Sequence, residues 1–495
     1  MGFTYEEAVE KLNSLQSGHV LLEKLRKAGS FDQSKKQDSL TRMKKFLDRI
    51  GYIPKDFDKL NLIHVTGTKG KGSTSALTHI KTGLFTSPHL VAVRERIRIN
   101  GKPISEELFA KYFQEVWDRL EATKEETLFT DIPRDKKQEA IQLLRLHPDK
   151  PAYFRYLTLV ALHAFVQEKV DCAILEVGVG GENDSTNIIE RPVVCGITAL
   201  GLDHISVLGD TIDKIAWHKA GIFKPNVPAV YFEQLPEATK VITQRAQEKN
   251  VSLTALYASQ ISDLDHIEIG LAGKHQRYNA LIAIELCKIW LKSVRNIEFK
   301  QAVPEEFIKG LRKVSWPGRS QQLNMSETKY DSESNVIWYL DGAHTIESLQ
   351  VCTDWFQQVI RQEEECHNIL VFNCTHGRDG DRLLETISKI QPFVHFEDVV
   401  FTTNITFKKG YAMDNANNNV SKEELTVVQK ALTNSWSSQN SDFPKNHIHT
   451  VGSIEEAVEF VLSQSKQSKK TIQVLTTGSL IMVGNTLTVL GFEPQ

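Results

Sequence analysis

Cysteine is scarce: six residues, at positions 172, 195, 287, 352, 366 and 374, with no CxxC pair among them. That excludes a disulfide framework and a zinc module, and it reads as a reduced intracellular protein. Charge of one sign is missing too. Lys and Arg number 59 against 62 Asp and Glu, a net charge of −3, so nothing marks a general nucleic-acid binder. No apolar run approaches the roughly 20 residues that span a bilayer. No repeat of roughly 20–50 residues announces a solenoid or propeller. The opening MGFTYEEAVEKLNSL is acidic and amphipathic, unlike a secretory or mitochondrial presequence. Glu6 stands where a myristoylation signal needs Ser or Thr. A cytoplasmic location is the expectation, and a mitochondrial form from another start stays open.

What is present is ordinary globular composition, 41% hydrophobic and 24% charged over 495 residues, enough for two large domains. Residues 5–50 read as helical, with Ala8, Leu12 and Leu15 at spacings of three and four. LNLIHVT (60–66), VDCAILEVGVGG (170–181) and PVVCGITAL (192–200) are short apolar runs that end in glycines or turns. Apolar continuity, where an exposed strand would alternate, predicts parallel strands covered on both faces. The pattern restarts with NVIWYLDGAH (335–344), NILVFNCT (368–375), DVVFTTN (398–404) and TIQVLTTGS (471–479), and SLQVCTDWFQQVI (348–360) is a helix between them. Trp316-Pro317-Gly318 breaks any helix. The expected domains are therefore 1–312 and 313–495. The stretches 411–422 and 434–446 read as surface loops.

The strongest local signal is His64-Val65-Thr66-Gly67-Thr68-Lys69-Gly70-Lys71-Gly72-Ser73-Thr74. Glycines let the backbone turn its N–H groups on an anion, and a following helix adds its positive end. Lys71 supplies a charge for β- and γ-phosphates, and Ser73 a hydroxyl for a magnesium ion. Gly72 separates Lys71 from Ser73, so the usual GxxxxGK[ST] spacing is broken. The alternative is a glycine-rich strand-to-helix turn with solvated lysines.

Other residues carry chemistry more weakly. Glu176 ends an apolar strand, at the edge where α/β sheets bind ligands. Lys219 lies in a helical run and reads, by itself, as a solvated surface lysine. Asn279 has an amide that can both donate to and accept from an adenine edge, or it is a polar residue at a helix start. Arg319 follows a Pro-Gly turn and suits bidentate phosphate contact. Asp341 and His344 follow a strand of the second domain.

HVTGTKGKGST, FTSPHL (85–90) and VRERIRING (93–101) together resemble the folylpolyglutamate synthases, the folate branch of the Mur-type ATP-dependent amide ligases. The resemblance continues through YFRYLTLVALHAF (153–165), EVGVGGENDSTNII (176–189), LGLDH (200–204), LGDTIDKIAWHKAGIFK (208–224), WPGR (316–319), YLDGAH (339–344) and TTGSL (476–480). The eukaryotic, cytosolic type matches best. The implied fold is α/β and Mur-ligase-like: an N-terminal P-loop nucleotide-binding domain with a mostly parallel sheet, plus a smaller Rossmann-like C-terminal domain. The implied activity is ATP-dependent addition of L-glutamate, by γ-linkage, to tetrahydrofolate and its polyglutamates through an acyl phosphate.

The resemblance also implies site residues. Gly70, Lys71, Gly72, Ser73, Asn279, Arg319 and Asp341 bind ATP; Ser87, Glu176 and His204 hold Mg²⁺; Lys71, Lys219 and His344 serve catalysis. Lys219 would be carbamylated and become an oxygen ligand for a second Mg²⁺. A monovalent cation such as K⁺ is a further implied cofactor, the partners are reduced folates, L-glutamate and ATP, and the expected state is a monomer. The chain departs from the family at two places. Only seven residues, 74–80, separate Ser73 from Lys81 where relatives carry a longer helix, and Ile481 and Asn485 replace the usual His and Gly. Dihydrofolate synthase, or a catalytically impaired folate- and nucleotide-binding variant, are the competing readings.

Overall fold

The apolar runs become strands because their β-branched and aromatic side chains pack on both faces of a sheet. The computed structural model describes residues 2–16, 39–67, 80–124, 149–273, 275–330, 335–361, 366–374, 379–416, 422–468 and 470–493. The chain divides into two units. The first holds residues up to Pro88, Arg94–Gly270 and Lys274–Val314; the second holds His89–Val93, Leu271–Gly273 and Ser315–Gln495.

Among the described residues, the first unit has strands β1 (Ile63–Thr66), β2 (Thr82–Phe85), β3 (Ile97–Ile99), β4 (Lys102–Pro103), β5 (Cys172–Glu176), β6 (Val194–Ile197), β7 (Ala229–Phe232) and β8 (Leu253–Leu256). Their order is β4-β3-β2-β5-β1-β6-β7-β8. All pairs from β2 to β8 are parallel, and β3 and β4 add an antiparallel edge. Every residue of β1, β2, β5, β6 and β7 is buried. Helix Tyr153–Gln167 covers one part of the sheet so closely that a Cβ on Gly83 would lie 2.7 Å from the Phe165 ring. Helix Ile212–Ala220 packs Ala216 and Ala220 with Cys195, Ile197 and Tyr231 of β6 and β7. The run expected as a strand over 60–66 starts only at Ile63. Pro54–Leu60 is a 3-10 helix, and Asn61 turns the chain with φ 44° while its amide donates to Asp171 O at 2.9 Å.

The second unit's described strands are β9 (Gln321–Asn324), β10 (Val336–Leu340), β11 (Cys366–Phe372), β12 (Phe396–Phe401), β13 (Ile448–Thr450) and β14 (Thr471–Thr477), ordered β13-β12-β11-β14-β10-β9. Only β9 is antiparallel to its neighbour. Side chains of a strand alternate between faces, and β10 shows both being covered. Ile337 and Tyr339 join one buried cluster, Val336, Trp338 and Leu340 the other.

Three features correct or extend the sequence reading here. The stretch 434–446 is not all loop: helix Lys422–Gln439 runs through its first half. Trp436 is fully buried, edge-on to Phe396 and Phe443 with ring centroids 6.5 and 5.6 Å away; the polar residues around it hid one apolar anchor. Within 411–422, Met413–Asn415 forms a 3-10 turn whose Asp414 Oδ1 accepts Val93 N–H at 2.7 Å. Leu90 is buried in the core with Trp338, Met482 and Val483, so His89–Val93 belongs with the second unit although it is far upstream. Among the described residues no helix is long and apolar enough to cross a membrane.

Candidate active site

Gly70, Lys71, Gly72 and Ser73, and the short segment after them, lie outside the described residues. The strand that delivers the loop is described, and it is held hard. Thr66 Oγ1 donates to Gly180 O at 2.7 Å, and Thr198 N donates to Thr66 O at 2.9 Å. Gly67 has φ 149° and presses against the Thr198 side chain, so a Cβ has no room there. Two residues before Thr66 in β1, His64 is fully buried with Nε2 2.9 Å from Thr186 Oγ1. Burial first, and the Lys224 charge second, push its imidazole down to about 3.

Glu176 sits at the C-terminal end of β5, in register with Val65 of β1. Its side chain is buried, and its Oε2 accepts the Ser87 N–H at 3.3 Å. The structure therefore brings Ser87 and Glu176 together. A buried carboxylate beside a hydroxyl-bearing residue is an oxygen donor set that fits Mg²⁺, which takes one or two carboxylates plus phosphate and water oxygens. His204 is placed differently. It caps the short helix Ile205–Leu208 with a left-handed backbone, φ 51°, and its side chain is 49% exposed, 3.8 Å from Asp203. Its nitrogen is also the least suited of the three donors to Mg²⁺. Among the described residues no group of three or more His, Cys, Asp and Glu side chains converges as a metal site.

Lys219 is not the solvated lysine its helix pattern suggests: only 6% of it is exposed, in the last turn of Ile212–Ala220. The loop after Glu176 touches that turn. Glu182 N donates to His218 O at 2.8 Å. Asn279 is buried on helix His275–Arg295, its amide donating to Gln276 Oε1 at 3.0 Å.

In the second unit Arg319, Asp341 and His344 cluster at the C-terminal end of β10. Asp341 Oδ2 accepts from Ser320 N at 2.7 Å and Ser320 Oγ at 3.2 Å, and Oδ1 accepts from Ala343 N at 2.9 Å. Burial raises the Asp341 carboxyl above its usual range, against the Arg319 charge and these hydrogen bonds, which pull it down. A Cβ on Gly342 would lie 2.7 Å from Arg319 Nη1, so glycine lets the guanidinium approach. His344 Nδ1 is 2.8 Å from Gly342 O. A carbonyl only accepts, so that nitrogen carries the proton and the ring is fixed.

Sequence reasoning missed the residues that hold these loops. Asp184 Oδ2 accepts Val179 N at 3.0 Å, and its Oδ1 accepts from Thr186 N at 2.9 Å and Thr186 Oγ1 at 2.7 Å. Asp-Ser-Thr is a turn signature that could have marked it. Asn485, which stands where the family usually has glycine, is buried. Its amide donates to Asn404 O at 2.7 Å and accepts from Thr406 Oγ1 at 3.0 Å, tying the turn after β12 to helix Leu480–Leu490.

Two α/β units, each built on a mostly parallel sheet, with a buried carboxylate at a strand end of the first, have the two-domain architecture of the Mur-ligase-like fold. Comparison with known proteins narrows this. The chain is 41% identical over 510 aligned residues to folylpolyglutamate synthase of Saccharomyces cerevisiae (strain ATCC 204508 / S288c), covering 99% of this chain and 87% of the yeast protein. It belongs to the folylpolyglutamate synthase family. Residues 321–489 match the dihydrofolate synthetase C-terminal domain family. Mycobacterium tuberculosis folylpolyglutamate synthase complexed with ADP superposes with a TM-score of 0.67 at 22% identity, covering 98% of this chain and 99% of that one. A folylpolyglutamate synthase complex with AMPPCP and folate gives 0.64 at 22%, covering 99% and 100%. These two share the two-domain fold.

Proposed function

We propose that the protein is an ATP-dependent ligase that adds L-glutamate, by γ-linkage, to tetrahydrofolate and its polyglutamates. The observation that carries this is the 41% identity to the yeast enzyme over 99% of the chain; the paired Ser87 and Glu176 and the Arg319–Asp341 cluster support it. A carboxylate is a poor acyl donor. A γ-carboxylate oxygen of the folate attacks the γ-phosphorus of ATP and ADP leaves. The glutamate amine then attacks the acyl carbon, loses a proton, and phosphate departs with that oxygen. Such chemistry needs positioning and positive charge more than a covalent nucleophile.

The roles follow. Gly70, Lys71, Gly72 and Ser73 cradle and neutralise the phosphates, Asn279 holds adenine, and Arg319 and Asp341 are further ATP-binding residues. His344 contacts the γ-phosphate or the incoming amino acid. Glu176 and Ser87 would hold Mg²⁺, with His204 as a further expected ligand, and the ion supplies charge neutralisation on the phosphates. A carbamate on Lys219 would give oxygen donors to a second Mg²⁺. K⁺ is a further expected cofactor, tested by replacing it with Na⁺. The protein is taken to act as a monomer in the cytoplasm. The family match over 321–489 favours dihydrofolate synthase as the second reading. Glutamate-dependent ADP release with tetrahydrofolate and with dihydropteroate as acceptors separates them. Turnover on dihydropteroate alone would overturn the first; folate-independent ATP hydrolysis alone would mark an impaired variant.

A further inference from the structure

Arg245 and Lys249 come from the end of a helix outside every motif above, Pro236–Glu248 and the residue after it. Both reach the joint between the loop after Glu176 and the Lys219 helix. Lys249 Nζ donates to Gly221 O at 3.1 Å and Phe223 O at 2.9 Å. Arg245 Nη2 pairs with Glu182 Oε2, and its guanidinium lies 4.7 Å over the Trp217 ring. Asn187 Nδ2 donates to Glu182 O at 3.1 Å and Gly221 O at 3.3 Å. The joint itself is bare backbone. A Cβ on Gly181 would lie 2.6 Å from His218 O and 2.9 Å from Lys219 O, and one on Gly221 would lie 2.5 Å from Glu182 Cα.

Two cations thus bracket the carbonyl end of the Ile212–Ala220 helix, where the helix dipole is negative. The Arg245 side chain is only 12% exposed, so water screens its pairing less than at an open surface. What makes this more than a staple is what the two halves carry. Glu182 is six residues past Glu176, and Gly221 is two past Lys219. We propose that Arg245 is a positioning residue for the ligation: through Glu182 it sets the placement of Lys219 relative to Glu176. The proposal rests on the reading that Lys219 and Glu176 serve the reaction.

Arg245→Gln, Arg245→Lys and Glu182→Gln are compared with the parent chain for kcat, KM for ATP, magnesium half-saturation and thermal midpoint, with Lys219→Ala in parallel. Misplacing a reacting group by about 1 Å costs up to about 100-fold, so Arg245→Gln lowers kcat roughly 10- to 100-fold. It raises the magnesium half-saturation and leaves KM for ATP within about twofold. Arg245→Lys recovers part of the loss. The Arg245→Gln/Glu182→Gln double variant is no worse than Arg245→Gln, as two members of one linkage require. A folded Arg245→Gln chain with parental kcat and magnesium half-saturation overturns the proposal, as does a loss that follows the thermal midpoint alone. If Arg245→Gln does not fold, Glu182→Gln decides by the same readouts. An active Lys219→Ala chain would sink the underlying reading; an inactive one beside a fully active Arg245→Gln sinks only the positioning role.

Discussion

His64 is a buried group whose protonation is coupled to folding. It is fully enclosed in β1, and burial, helped by Lys224, holds its folded pKa at about 3 against 6.5 unfolded. The unfolded chain therefore takes up the proton first as pH falls. Stability from the neutral ring is complete above about pH 6.5 and is lost progressively toward about pH 3. Each unit is worth about 1.36 kcal/mol. Between pH 6.5 and 4.5 the loss is about two units, on the order of 3 kcal/mol. Glutamine can replace the Nε2 contact to Thr186 but does not titrate. Urea unfolding of the parent and of His64→Gln at pH 7.0 and 4.5 isolates this group, because every other titration cancels between the two chains. His64→Gln costs about 1–3 kcal/mol at pH 7.0, and that cost shrinks by roughly 2–3 kcal/mol at pH 4.5. An equal cost at both pH values would refute the burial argument.

Three further outcomes are expected. Glu176→Gln keeps shape and loses charge, so the magnesium half-saturation of activity rises; an unchanged titration would show that Glu176 is no ligand. Lys219→Arg, which cannot form a stable carbamate, loses most turnover despite its matching charge, and full activity would end the carbamate role. Trp436→Ala removes a fully buried indole and destabilises the second unit by about 3–5 kcal/mol, measured by denaturant unfolding; a cost under about 1 kcal/mol would contradict its place in the core.

The fold was legible where strands are apolar throughout: the runs now seen in β1, β5, β6, β10, β11, β12 and β14 needed only the rule that doubly covered strands do not alternate. The antiparallel strands β3, β4 and β9 are short and carry Arg98, Lys102, Gln321 and Asn324, so nothing in their composition set them apart from loops. Candidate site residues were legible as motif neighbours of glycine, as with Glu176 and Asp341. Their surroundings were not. The Asp184–Thr186–His64 chain joins residues 122 apart, and local periodicity holds no record of such pairing. Lys219 shows the same limit from the other side: it is buried at the turn that the loop after Glu176 meets, which no helical pattern encodes. The tie of His89–Val93 to the second unit depends on Asp414 and Leu90 finding partners more than 200 positions away.

The most direct test of ligation through an acyl phosphate follows the oxygen. Tetrahydrofolate labelled with ¹⁸O in its γ-carboxylate is turned over with ATP and L-glutamate, and the released phosphate is weighed. The account predicts one ¹⁸O in the phosphate for each glutamate added. Product formed with unlabelled phosphate would contradict it.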